Sequence, residues 1–340
     1  MDSTVPTTED QSISNRSTKQ NLWRRFWSFF SVRLGFQRLF SFTCFVILGG
    51  ILAGFSLAHF RSLVPHRYYN GAFAPGETYW VRSGARKVGM IMHLGAILPC
   101  GILAVLQFVP IIRKNYLLFH RINGYIVLTL LAVGVAGALI LSRHSFGGDV
   151  SSGGGIYGLA FIVIGSALMG YYNIKHLQIE EHRKWMLRAI VYMSSIITQR
   201  IIMIISAIIV SSVGGFATAW YCDEIAYTLD YNDTKIAIHG SRECVGGSAP
   251  TRQVLIPAHM DQEEPIQMAS ALRSAFGNSI WIAMLIHIFV LEVYFHLTPK
   301  ETARLRSISY QKQLEAGFEH PGSAGITSDR WGDADPYQPK

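Results

Sequence analysis

Two short segments pair an imidazole with a guanidinium: "FHRINGY" at 119–125 and "EHRKWMLR" at 181–188. Each pair, His120–Arg121 and His182–Arg183, stands where a long apolar run is about to begin. Histidine titrates near neutrality and serves as a general acid or base, while arginine keeps its charge and grips carbonyls, carboxylates and phosphates. Arg188 follows within the second segment, and Arg200, beside Gln199, falls in the middle of an apolar run. A charge at the centre of a membrane helix costs about 2.5–3.5 kcal/mol on insertion scales, so it needs a partner, a wet cavity or an anionic ligand. His287 lies in the last apolar run at a depth close to that of Arg200, and His93 lies early in another, in "HLGAILPCG". Glu292 is the one acidic residue expected within a span, and its depth requires tilt for a pairing with Arg200.

The candidate catalytic groups are therefore His120, His182, Arg188 and Arg200. The candidate ligand or cofactor groups are His93, His120, Arg121, His182, Arg183, Trp185 and His287. Two readings stay open for the His–Arg pairs: interfacial anchoring by snorkelling basic residues, or a pocket at the inner mouth. Arg200 and His287 likewise mark either a functional cavity or a structural network. Haem takes one or two imidazoles at one depth. His120 and His182 could meet at one edge, but no run carries two histidines at di-haem spacing, so the spacing does not assign haem. No zinc motif, nucleophile elbow, phosphate loop or dinucleotide fingerprint is present, no metal site is expected, and the reaction stays unassigned.

These groups must be positioned by membrane helices. Half of the 340 residues are hydrophobic and 15% are charged, against about 25% in a soluble domain. Apolar runs of about 20 residues span a bilayer core. Six recur, at 39–60, 89–112, 122–142, 155–174, 187–213 and 276–297. Continuous runs of this length read as helices rather than barrel strands. The expected fold is an all-α, polytopic bundle of six transmembrane helices, none broken at mid-membrane.

Basic residues concentrate before the first run, between the second and third, between the fourth and fifth, and after the sixth. That asymmetry puts both termini in the cytosol. The net charge of +8 then faces anionic lipid rather than nucleic acid. Residues 1–38 read as a disordered tail followed by an interfacial helix with Trp23, Phe26, Trp27 and Phe30 among arginines. The 61–88 loop reads as a lid, the 142–155 connection as a flexible turn, and 298–340 as a cytosolic tail with a helix near 300–315 and a loose end. The long loop 214–275 falls outside, where Cys222 and Cys244 can form a disulfide worth about 3 kcal/mol of local order. It also holds the glycosylation sequon at Asn232; the sequon at Asn15 falls inside and is expected to stay unused. Cys44 and Cys100 sit in apolar runs as packing residues. Sliding His120–Arg121 onto His182–Arg183 also lays Arg113 onto Lys175, so a two-hairpin repeat is open beside chance.

"HLGAILPCGILAVLQFVPIIRKN", "FHRINGYIVL" and "EHRKWMLRAIVY", read together, resemble an uncharacterised family of multi-pass membrane proteins of bacteria and fungi, a domain of unknown function. The similar stretch runs over 89–205, through His93, Gly95, Gln107, His120, Arg121, Gly124, His182, Arg183, Trp185, Met186, Arg188 and Arg200. The resemblance implies a membrane location and a shared pocket, and no known reaction. The outer loop with paired cysteines looks like the fungal type, some of whose members accompany biosynthetic gene sets. Three functions follow as expectations: a membrane-embedded enzyme or redox accessory acting on a lipophilic small molecule, a small-molecule transporter, or a scaffold. The lipid bilayer is the expected partner, with a lipophilic ligand beside it, in the endoplasmic reticulum or plasma membrane of a eukaryote.

Overall fold

The computed structural model describes residues 27–64, 74–247, 251–261 and 263–339. The expected disordered tail, the Asn15 sequon, Trp23 to Phe26 and residues 65–73 of the expected lid lie outside them. The helices are α1 (Leu39–His59), α2 (Glu77–Val81), α3 (Gly84–Gln107), α4 (Pro110–Asn115), α5 (Leu117–Leu141), α6 (Val150–Lys175), α7 (Ile179–Met193) and α8 (Ser195–Val213). A strand β1 (Ala217–Tyr221), helices α9 (Cys222–Thr228) and α10 (Asp233–His239) and a strand β2 (Gln253–Pro257) follow. The chain closes with α11 (Pro265–Leu297), α12 (Pro299–Glu315) and α13 (Ser328–Trp331). Among the described residues, six helical segments are long and apolar enough to cross a membrane, α7 with α8 counting as one. The fold class is all-α and polytopic, as the hydropathy pattern requires.

Several helices extend beyond their apolar runs. The helix that carries the sixth run begins at Pro265, ahead of 276, and the segment that carries the fifth begins at Ile179, ahead of 187. Both extensions are polar or mixed in sequence, but they pack against protein, so hydropathy alone does not register them. The second ends at Gln107 rather than 112, because Pro110 opens the separate α4.

The described residues form two compact units, one holding 27–59 with 98–130 and the other the described residues of 60–97 and 131–339, so α3 and α5 each contribute to both. In the first unit, residues 27–33 are helical and the Trp27 indole donates to Thr43 Oγ1 at 3.1 Å. Asn123 Nδ2 donates to the Leu103 carbonyl at 3.0 Å, and Gln107 Nε2 to the His120 carbonyl at 3.1 Å. Cys100 is buried against the Val127 carbonyl, and it and Cys44 are free thiols. Ile47, Leu48, Ile51 and Leu57 of α1 are exposed, as suits a lipid-facing helix.

In the second unit, small residues let helices approach closely. Gly137 of α5 lies against the backbone of Gly89 and His93 in α3, and Gly277 of α11 lies against Ser151 and Ser152 of α6. One end of this unit carries the segment 214–264 as a folded cap. Strands β1 and β2 pair antiparallel, Trp220 opposite Val254. The Cys222–Cys244 disulfide, as the loop composition implied, joins a core with Trp220, Ile225, Ile236, Ile256 and Ile266. The opposite end carries the tail, and it is not loose. Gly325 N–H donates to Gln178 Oε1 at 3.0 Å, and Ile326 N–H to Asn173 Oδ1 at 2.8 Å. Gln178, Asn173, Gln313 and Ser309 are fully buried, and their amides and hydroxyl satisfy backbone groups of the tail and of the α6–α7 turn. Burial works against ionisation of Asp329, yet hydrogen bonds from Ser323, Thr327 and Arg306 hold its carboxyl well below the usual range.

Two further expectations change. The 142–155 connection holds a wedge rather than a flexible turn: Phe146 takes a left-handed backbone (φ 47) and stacks on Phe276 at 4.1 Å. Glu77 Oε2 accepts from its N–H at 3.0 Å, one of the contacts that hold this strained conformation. The fifth span breaks at Ser194, between α7 and α8. Polar side chains re-satisfy backbone at such a break in lipid: the Val191 carbonyl accepts from Ser194 Oγ at 2.7 Å and from His287 Nδ1 at 2.8 Å.

Candidate functional site

At the tail end of the second unit, α7 presents the HRxWMxR segment. His182 Nδ1 donates to the Gly170 carbonyl at 2.8 Å, a bond that turns the ring onto α6. Arg183 Nη2 donates to the Tyr294 hydroxyl at 2.8 Å. Arg188 donates through Nε at 3.0 Å and Nη2 at 2.8 Å to Glu292 Oε1, and its guanidinium lies over Trp185 and Phe295. The acidic residue expected inside the sixth span thus pairs with Arg188, not with Arg200. Trp185 Nε1 is buried and lacks a hydrogen-bond partner among the described residues. His120 and Arg121 belong to the first unit, with Arg121 exposed.

Midway along α11, His287 is held on both sides. Its Nε2 lies 2.8 Å from Thr198 Oγ1, and its Nδ1 serves the Val191 carbonyl. A carbonyl only accepts, so Nδ1 carries the proton and Nε2 accepts from the hydroxyl. This histidine is spent on the Ser194 break. Gln199, the residue after Thr198, is buried and donates to Ser279 Oγ at 2.9 Å.

Toward the cap the arrangement differs. Arg200 faces the Phe146 ring at 5.3 Å and the Phe276 ring at 6.0 Å. It has no hydrogen bond or ion pair among the described residues, and Glu77 acts on it only through space. His93 lies within electrostatic reach of Arg200. Its Nδ1 donates to the Gly134 carbonyl at 2.8 Å, which leaves Nε2 as the ring nitrogen with no partner among the described residues. An oriented imidazole within electrostatic reach of a guanidinium that has no ion-pair partner among the described residues can help to hold an oxyanion or a carbonyl and exchange a proton with it.

Above this pair sits a set of groups that single-sequence reading does not find. Arg273 is 2% exposed and bridges Glu224 and Glu77, the latter at 3.3 Å. Its guanidinium lies 3.4 Å from the centre of the Trp220 ring. Trp80 Nε1 donates to Glu224 Oε1 at 3.0 Å, and the Tyr79 hydroxyl donates to Asp223 Oδ2 at 2.6 Å. Burial pushes the Glu77 carboxyl up against the opposing pull of Arg273. Burial, with the hydrogen bond to Asp223 second, pushes Tyr79 up to about 12. Among the described residues, no three His, Cys, Asp or Glu side chains group as a metal site.

Six apolar spans, polar groups buried between them and a disulfide cap define a polytopic α-helical integral membrane protein. Residues 90–221 match the model of the family described as Predicted membrane protein (DUF2306). The match covers α3 from Met90 through β1, and with it His93, His182, Arg188 and Arg200, but not Glu77, Arg273 or His287. A curated relative, "Ava biosynthesis cluster protein G" of Aspergillus versicolor, is 22% identical over 308 residues, covering 77% of this chain and 89% of the relative. No solved structure matches.

Proposed function

We propose that the protein is a membrane-embedded enzyme or redox accessory of small-molecule metabolism, and that Arg200 with His93 holds the oxygen-bearing end of a lipophilic substrate. The observation that carries this reading is the Arg200 guanidinium. Arg188, Arg183 and Arg273 each have a partner, whereas Arg200 faces aromatic rings and has no hydrogen bond or ion pair among the described residues. A permanent charge held unpaired at membrane depth is a functional-site signal. His93, within electrostatic reach of it, supplies the proton acceptor through Nε2. The relative's place among biosynthesis cluster proteins supports small-molecule metabolism as the setting.

Purification of the wild type and of Arg200→Leu in mild detergent, with native mass and absorption spectrum, tests the proposal. The wild type is expected to retain an oxygen-bearing lipophilic molecule. Loss of a charge-assisted contact is expected to cut its occupancy on the order of tenfold to a hundredfold. Equal occupancy in both proteins contradicts the assignment of Arg200. A haem or flavin band decides for the redox form over the enzyme form.

Transport is the second reading, favoured by the Ser194 break, because discontinuous helices line transporter sites. Its weakness is that the Val191 carbonyl is already occupied by His287 and Ser194. For topology we propose both termini in the cytosol and the cap in the lumen or outside, in the endoplasmic reticulum or plasma membrane. The disulfide supports this. So does the exposed Asn232, whose Oδ1 caps α10 by accepting from Lys235 N–H at 3.0 Å, as a glycan acceptor.

A further inference from the structure

At the cap end, His144 stacks on the Trp80 indole with ring centroids 4.1 Å apart and planes 17° from parallel. The Arg86 guanidinium lies 5.3 Å from the centre of the same indole, and its Nε donates to the Trp80 carbonyl at 2.7 Å. Arg143 precedes His144 in the chain, and both arginines act electrostatically on its imidazole. The acids nearby are already committed. Asp223 takes Tyr79 and Arg82, and Glu224 and Glu77 take Arg273. Arg86 and Arg143 therefore have no carboxylate partner among the described residues, and neither does His144.

The cluster sits where α3 begins and α5 ends. Directly along those helices, Val88, Ile91, Leu139 and Ile140 are exposed, with Val88 at 55% and Ile91 at 63%. Two guanidiniums and an imidazole at the polar boundary, above apolar side chains open to the bilayer, match the two halves of a phospholipid. The stacked Trp80 and His144 rings stand beside these cations, and indoles concentrate at headgroup level. We propose that Arg86, Arg143, His144 and Trp80 form a site for the phosphate of an anionic phospholipid, whose acyl chains lie along α3 and α5. The phosphate accepts from the arginines, and two cations without a carboxylate partner among the described residues favour an anionic over a zwitterionic headgroup.

Native mass spectrometry of the full-length protein in detergent, titrated with phosphatidylglycerol, tests the site. The wild type is expected to bind phosphatidylglycerol in preference to phosphatidylcholine or diacylglycerol. Each arginine changed to glutamine is expected to weaken binding about fivefold, so Arg86→Gln with Arg143→Gln loses on the order of 25-fold. The matching lysine pair keeps most of the binding, and Lys300→Gln at the tail end changes nothing. Binding by the glutamine pair equal to the wild type overturns the proposal, as does a lysine pair as weak as the glutamine pair. Millimolar inorganic phosphate that displaces the lipid assigns the groups to a small-anion site instead, and equal uptake of diacylglycerol shows that the headgroup is not read.

Discussion

Arg273→Leu is expected to destabilise the protein by about 3–5 kcal/mol, read as a large fall in melting temperature in detergent at pH 8. The guanidinium neutralises two carboxylates, one on α2 and one on α9, and also covers the Trp220 ring. With it gone, Glu77 and Glu224 remain buried as an uncompensated pair. The loss depends on pH in a definite direction. Burial already raises the Glu77 carboxyl, and removal of Arg273 raises it further. A carboxyl with a folded pKa above its unfolded value takes up a proton on folding. Its stabilising share is full at low pH and is lost as pH rises through the folded pKa. The gap between Arg273→Leu and wild type is therefore expected to be smaller at pH 5 than at pH 8. A gap that widens at pH 5, or no fall at either pH, contradicts this account of the cap.

Removing the Cys222–Cys244 bond is the other change with a large expected effect. The bond closes a segment with a sequence separation of 22 residues and lies inside the cap core beside Ile225 and Ile236. A cross-link over a loop of this size contributes about 3 kcal/mol. Cys222→Ser with Cys244→Ser is expected to leave the six spans in place and to open 222–247 to protease at temperatures where the wild type resists. The single polar replacements also bury hydroxyls, so the Cys→Ala pair serves as the check. An Ala pair that resists protease as long as the wild type shows that the apolar core alone holds the cap.

The six spans were legible because a chain folded in water seldom strings twenty apolar residues together, let alone six times. The disulfide was legible because only two of the four cysteines lie outside such runs. The span ends were not. Pro265 to Ala275 reads as polar loop, yet Ile266, Ala269 and Arg273 of this stretch are buried in the cap. Hydropathy measures lipid contact, and these residues contact protein. Arg200 stood out by its depth. Glu77 and Glu224 did not, since each lies in ordinary loop composition, 196 and 49 residues from the arginine that gives it meaning. His287 was visible as a polar residue in a span, but its service to the Ser194 break depends on a backbone kink that no residue type announces. The order of the tail is hidden for the same reason. Its glycines and serines look loose, and the amides that pin it, Asn173 and Gln178, sit in another hairpin.

The central claim is that Arg200 is kept for a ligand rather than for the fold, and the melting temperature of purified Arg200→Leu tests it most directly. A cation at membrane depth with no partner among the described residues costs stability, about 2.5–3.5 kcal/mol at the centre of a helix in lipid. If Arg200 serves a ligand, Arg200→Leu melts at or above the wild-type temperature once bound small molecules have been removed from both proteins. If Arg200 is part of the scaffold, its loss lowers the melting temperature as far as Arg273→Leu does, and the site proposed around it and His93 fails.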